Sequence, residues 1–210
     1  MSAGYVNSAN LGIPIAMQVL GDVSFLVEVV LLQVLVVTPI ILIALDRHND
    51  ADGRIRPRRI ATLPIRNPVI LGSVLGVVAS AVGFDPPGVV HTSLSLLSDA
   101  AVPAALIALG ASLHREDAFV ERVRLELSVI TVLKLVVQPL VAYSIGAFVL
   151  HLSQPQLLAV VVCAGLPTAQ NTFIFAQEYA AGEALASRAV LVTTTLSLAT
   201  LAGAAALLGR

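Results

Sequence analysis

Apolar residues fill long stretches of this chain, and polar residues gather in short connections between them. A helix of about 20 apolar residues covers the hydrocarbon core of a bilayer. Seven stretches approach or exceed that length, so the pattern predicts an all-α polytopic membrane protein with about seven transmembrane helices. The predicted spans are 2–20, 24–45, 68–84, 89–113, 125–150, 156–177 and 185–209.

The span 156–177 contains residues that interrupt a helix. Gly165 and Pro167 stand near its middle. Proline has no N–H to donate, and its ring clashes with the carbonyl one turn earlier. The polar residues that follow at once are Thr168, Gln170 and Asn171. This pattern predicts two half-helices joined by a short unwound link.

The span 2–20 carries the same residue types in another order. Asn10 and Pro14 are four positions apart in NLGIP, and Pro167 and Asn171 are four apart in PTAQN. Matched interruptions in inverted positions are typical of the binding site of a secondary transporter. At such a break, the free amides of a half-helix N-terminus favour an anion. The alternative is that both prolines make simple kinks, with the amide side chains bonded to neighbouring helices.

The arginines predict the orientation, because short cytoplasmic loops hold the excess of basic residues. Ten of the eleven arginines fall on one side of the seven alternating spans. The amino terminus is therefore expected in the cytoplasm and the carboxyl terminus outside, in the plasma (inner) membrane. The largest group lies in the loop 46–67, which either only anchors the orientation or also attracts anionic lipid. The other cytoplasmic arginines are Arg115, Arg122, Arg124 and Arg188.

Composition narrows the function classes. Only 12% of the residues are charged, 57% are hydrophobic, and the mean hydropathy is +0.92, which a soluble domain does not show. The net charge of −1 gives no reason to expect nucleic acid as a partner. A single cysteine, Cys163, excludes a disulfide framework, and the scattered histidines predict no metal site. Enzyme motifs such as GxSxG and HExxH are absent, so no enzyme is expected.

Four segments resemble the auxin efflux carrier family, which includes PIN-type carriers and malonate transporters. They are NSANLGIPIAMQVLGD, AAVPAALIALGASL, LKLVVQPLVAY and LPTAQNTFIFAQEY with ASRAVLVTTTLSLATL. The resemblance implies a fold of ten spans in two inverted five-helix repeats, similar to the bile-acid symporters. It also implies that the family's fourth and ninth spans are broken and cross at the substrate site.

On that pattern, the first span of this chain corresponds to the family's fourth, so three leading spans are expected to be missing. Residues 1–45 would end the first inverted repeat, 46–67 would form the cytoplasmic arginine-rich loop, and 68–210 would form the second five-helix repeat. The predicted substrate-binding residues are Asn7, Asn10, Gly12, Pro14, Pro167, Thr168, Gln170 and Asn171.

Three ionisable residues lie within or beside spans and are candidates for charge or coupling roles: Lys134, Glu28 and Asp99. Lys134 would attract an anionic substrate, act as a proton-linked switch, or pair with one of the two acids to hold helices in register. Either acid would take up a coupling proton, or simply be hydrated near an interface.

The sequence thus predicts a secondary carrier of a small organic anion, auxin-like or a dicarboxylate such as malonate, working by alternating access. The rival functions are a sodium-coupled bile-acid-type symporter and a truncated, non-transporting membrane subunit. No cofactor is expected, and a proton or sodium gradient would drive transport. The expected partners are the organic anion and the lipid bilayer, with a homodimer left open.

Overall fold

The computed structural model of the protein describes residues 1–49, 68–112 and 121–209. Most of the predicted arginine-rich loop 46–67 and the connection that carries Arg115 lie outside the described residues. Regular structure in the described ranges is helical. The helices are α1 (Ile13–Val19), α2 (Ser24–Leu32), α3 (Thr38–Asn49), α4 (Pro68–Ala81), α5 (Gly88–Ser112), α6 (Glu121–Val132), α7 (Gln138–Ser144), α8 (Gln154–Ala164), α9 (Asn171–Glu178) and α10 (Glu183–Leu208).

Wider, π-helical turns adjoin several of these helices, at Ser8–Gly12, Gln33–Val37, Leu133–Val137 and Ile145–Val149. A proline stands two residues after the end of three of them: Pro14, Pro39 and Pro139. The proline ring would clash with the carbonyl four residues earlier, which lies inside the π-helical turn in each case. Widening the turn relieves that clash, so the prolines give these spans bulges rather than breaks.

Three helical segments in the described part of the chain are long and apolar enough to cross a membrane: Ser24–Leu45, Val123–Val149 and Glu183–Leu208. They match the predicted spans 24–45, 125–150 and 185–209, and they confirm the prediction of a multi-pass membrane protein. The predicted spans 68–84 and 89–113 form the single helices α4 and α5. The prediction that 156–177 forms two half-helices is also confirmed, as α8 and α9.

The chain divides into two compact units. The first contains Met1–Val30 and Ala108–Arg210, and in it α10 packs against α6, α8 and α9, while α7 packs against α8. Its main core cluster comprises Ala16, Leu26, Leu158, Val162, Cys163, Leu166 and Leu201.

The second unit contains Leu31–Ile107, and in it α4 contacts the turn Gln33–Val37. Helices of both units leave large apolar side chains exposed, including Leu75, Leu140, Phe148 and Leu207. In a membrane protein such side chains face hydrocarbon rather than water.

Candidate functional site

The break in the sixth predicted span lies at residues 165–170. Helix α8 begins at a capping box in which Ser153 and Gln156 bond each other's backbone, and it ends at Ala164. Gly165 follows as the C-cap, Leu166 donates to the carbonyl of Cys163 (3.3 Å), and α9 begins at Asn171. Pro167 lies within the link, because its missing N–H prevents the helix from continuing through it.

The first segment is interrupted earlier than its sequence suggests. Residues 1–7 are not helical, the π-helical turn Ser8–Gly12 follows them, and α1 continues to Val19. Pro14 lies in the first turn of α1, two residues after the π-helical turn whose widening accommodates its ring. At Pro14 the structure thus agrees with the alternative of a simple kink rather than a break. The non-helical stretch comes before NLGIP rather than inside it.

The two interrupted segments cross and pair through their backbones. Val6 and Thr168 form an isolated antiparallel β-bridge. The amide of Asn7 donates to the carbonyl of Pro167 (2.9 Å), and the amide of Ala169 donates to the carbonyl of Tyr5 (3.1 Å). The bridge satisfies backbone groups that neither segment satisfies alone, which apolar surroundings require. The structure thus brings the two sequence motifs together.

Thr168 connects the crossing to two further parts of the unit. Its hydroxyl donates to the carbonyl of Ser2 (2.8 Å), and its amide donates to the hydroxyl of Thr193 in α10 (3.0 Å). The hydroxyl of Thr193 donates in turn to the carbonyl of Ala189 (2.6 Å). Thr168 and Thr193 are both fully buried. These bonds hold the link between the first residues of the chain and the last span.

Two helical segments begin next to the crossing, because Ser8 and Asn171 each follow shortly after a bridged residue. The side-chain amide of Asn10 donates to the side-chain oxygen of Gln170 (3.2 Å). Within the described part of the chain, the backbone amides of Gln170 and Asn171 have no acceptor. Free amides and two positive helix ends at one place favour a negatively charged group.

The predicted binding residues differ in exposure. Asn7, Gly12, Pro167, Thr168 and Gln170 are buried, Asn171 is partly buried, and Asn10 and Pro14 are exposed. Gly12 is in close contact, since a Cβ there would stand 2.9 Å from Leu166 Cδ1 and 3.0 Å from Leu26 Cδ2.

Lys134 lies beside the non-helical start of the chain. It belongs to the π-helical turn Leu133–Val137 and is fully buried. Its ammonium donates to the carbonyl of Ala3 (3.3 Å), which also accepts a bond from the side-chain amide of Gln138 (2.7 Å). Ala3 is adjacent to Ser2, which Thr168 bonds, so this cation belongs to the surroundings of the crossing.

The two candidate acids lie elsewhere. Glu28 is exposed on α2, and Asp99 is exposed on α5 of the second unit. Within the described residues of the first unit, no carboxylate forms an ion pair with Lys134. Pairing with Glu28 is therefore not what this structure contains.

Sequence reasoning missed three residues near the crossing. Ser2 and Thr193 bond Thr168, and the ring of Tyr5 packs edge-on against Phe175 of α9, with centroids 6.1 Å apart. Thr193 stands in a run of three threonines within an apolar span, which is the one sequence signal that could have singled it out. Ser2 and Tyr5 have no comparable signal, because their roles depend on the distant link.

A cavity of about 570 Å³ lies at another place in the first unit. Its wall includes Leu20, Phe25, Leu158 and Leu208 and is mainly apolar. Asp22 lies at this cavity and accepts bonds from the backbone and hydroxyl of Ser24, which lower the pKa of its carboxyl from its usual range. The cavity shares no lining residue with the crossing, where the polar groups gather.

Comparison with known proteins identifies the family of the chain. The family model described as membrane transport protein matches residues 1–204. A protein of Rhizobium meliloti (strain 1021) named as a malonate transporter is 34% identical over 137 residues, which cover 65% of this chain and 42% of that protein. A protein of Oryza sativa subsp. japonica named as auxin efflux carrier component 5c is 30% identical over 148 residues, covering 69% of this chain and 40% of that protein.

The chain therefore spans about two fifths of the length of these curated relatives. The family model nevertheless covers nearly every residue of the chain. The resemblance that the two interrupted motifs indicated is confirmed, and the chain belongs to the membrane transport protein family of the auxin efflux carriers.

Proposed function

We propose that the protein is a secondary carrier of a small organic anion, which binds where the two interrupted segments cross. The observation that carries this proposal is the meeting of two helix N-termini beside the Val6–Thr168 bridge, with Asn10 and Gln170 in contact across it. The names of the relatives point to a carboxylate, either a dicarboxylate such as malonate or an auxin-like acid.

The chemistry of the crossing suits a carboxylate. The amides of Gln170 and Asn171 begin α9 without an acceptor in the described part of the chain, so each can donate to an oxygen of the ligand. The helix dipole adds partial positive charge at the same place. The side chains of Asn10 and Asn171 offer neutral donors, which bind a polar group without placing a permanent charge in the membrane.

Of the three ionisable candidates, Lys134 is the positively charged one, and its ammonium donates to Ala3 in the segment that crosses the link. Burial removes the hydration of the Lys134 ammonium, and no carboxylate among the described residues of its unit compensates this loss. A bound anion nearby would compensate that loss. We propose this attraction, rather than a pairing with Glu28 or Asp99, as the role of Lys134 in the carrier.

Alternating access requires the site to open to each side in turn. The crossing is held by two backbone hydrogen bonds between segments that are about 160 residues apart in sequence. Such short, non-helical links allow the flanking half-helices to change direction without breaking a continuous helix. We propose that a rocking or elevator-like movement around this crossing exposes the anion alternately to the two sides.

Uptake of radiolabelled malonate and indole-3-acetate into proteoliposomes tests the proposal. Asn10→Ala and Asn171→Ala should each raise the KM for the transported acid about tenfold to a hundredfold, because a hydrogen bond to a charged group is worth roughly 1.5–3 kcal/mol. Gln177→Ala is the matched control, since Gln177 is an exposed amide side chain farther along α9. Transport that is unchanged by both asparagine substitutions would refute the site assignment.

Uptake measurements in the same vesicles identify the ion whose gradient drives transport. Flux that depends on a pH gradient and not on sodium supports proton coupling, whereas flux that requires sodium indicates the bile-acid-type symporter. Vesicles that neither transport nor bind either acid would contradict the carrier proposal and favour a non-transporting membrane subunit.

A further inference from the structure

Thr193 satisfies a backbone group that the break in the span leaves without a helical partner. In an unbroken helix, the amide of Thr168 would donate to the carbonyl of Ala164, but α8 ends at that residue. An unpaired amide in apolar surroundings is costly. The hydroxyl of Thr193 accepts this amide at 3.0 Å, and both residues are fully buried.

The hydrogen-bond directions leave Thr193 little freedom. Its hydroxyl proton is directed to the carbonyl of Ala189 (2.6 Å), so its lone pairs remain for the amide of Thr168. Thr168 also binds the first segment of the chain, because its own hydroxyl donates to the carbonyl of Ser2 (2.8 Å). Successive hydrogen bonds thus connect the last span, the link and the first segment. The two bonds that share the hydroxyl of Thr193 strengthen each other.

We infer that Thr193 is a positioning residue for the anion site. It touches no group that we assign to the anion, but it fixes Thr168, and the amides of Gln170 and Asn171 follow within three residues. A displacement of the link would turn both amides away from the ligand. This inference rests on the proposed function, since it assigns Thr193 a role in that same site.

Three substitutions separate positioning from general stability. Thr193→Val keeps the shape and removes the hydroxyl, whereas Thr193→Ser restores the hydroxyl and removes only a methyl group. Thr195→Val is the matched control, because Thr195 is an exposed threonine of the same helix. Should Thr193→Val not yield monodisperse protein, Thr193→Ala takes its place.

Two measurements are made on each variant of the reconstituted protein. Amide hydrogen exchange of the segment 165–171 reports whether the link is held, and the KM and maximal rate for malonate uptake report the site. Thr193→Val should speed exchange of this segment about tenfold and raise the KM by a similar factor with little change in maximal rate. Thr193→Ser should restore both values, and Thr195→Val should change neither.

The outcomes separate the two proposals. Unchanged exchange in Thr193→Val overturns the inference whatever the transport result. Faster exchange with an unchanged KM in a protein that transports malonate also overturns it, because Thr193 would then be only structural. If the wild-type protein does not transport malonate, the carrier proposal fails for that acid. Faster exchange in Thr193→Val that Thr193→Ser reverses still supports the inference that Thr193 fixes the link.

Discussion

Replacing Gly12 with alanine should weaken the packing of the first segment against the break. An added Cβ would lie 2.9 Å from Leu166 Cδ1 and 3.0 Å from Leu26 Cδ2. Carbon atoms in comfortable contact are about 3.5–4.0 Å apart, so each methyl group would have to move by roughly half an ångström or more. Both leucines are almost completely buried in one core cluster, so neither can turn away into open space.

Two effects of opposite sign determine the magnitude. Extra carbon in a well-packed core typically costs about 1–3 kcal/mol of folding free energy. Alanine gains about 1 kcal/mol over glycine in a helix, and Gly12 has helical dihedral angles (φ −63°, ψ −46°). Gly203→Ala isolates the second effect, because Gly203 lies in α10 with no atom within 4 Å of the added Cβ. The two variants should therefore differ by about 1–3 kcal/mol, with Gly12→Ala the less stable.

Unfolding in dodecyl maltoside with increasing dodecyl sulfate, followed by circular dichroism, measures this difference. A second substitution tests the cause. Leu166→Val shortens the side chain that Gly12→Ala would strike, so the double variant should recover stability relative to the sum of the single changes. Equal stability of Gly12→Ala and Gly203→Ala would show that the leucines repack freely, and the reasoning about a tight contact would be refuted.

Two further predictions concern buried polar groups. The hydroxyl of Thr172 is fully buried without a partner in the described part of the chain, so Thr172→Val should raise the unfolding free energy by about 1 kcal/mol. Thr168→Val should lower the unfolding free energy, because it removes the hydroxyl that donates to Ser2. The same dodecyl sulfate titration measures both variants, and a lower unfolding free energy for Thr172→Val would contradict this account. Lys134→Met should leave folding stability equal or higher, since it removes a buried charge that has no ion pair among the described residues of its unit. Anion uptake should fall at least about tenfold. Uptake that survives this change would refute the proposed attraction between Lys134 and the anion.

The sequence predicted the parts of this fold that depend on neighbouring residues. The length of apolar stretches predicted the three membrane-length helices of the described residues, because crossing a bilayer demands a minimum helix length. Pro167 predicted the break, since the effect of a missing N–H and a ring clash is confined to about one turn. The same local effect accounts for the bulges before Pro39 and Pro139. The sequence did not predict that Pro14 would be accommodated in the first turn of a helix, because that depends on where the helix begins.

Only the tertiary structure decided which groups meet at the crossing. Asn10 and Gln170 are 160 positions apart, and Lys134 reaches the carbonyl of Ala3 across 131 positions. No periodicity or motif specifies such a pairing, because it depends on how whole helices pack. The same packing decided which amides the bridge and Thr193 satisfy, and hence which amides stay without an acceptor in the described part of the chain. The sequence determined that NLGIP and PTAQN bend or interrupt their spans, and the fold decided that the two segments cross and pair.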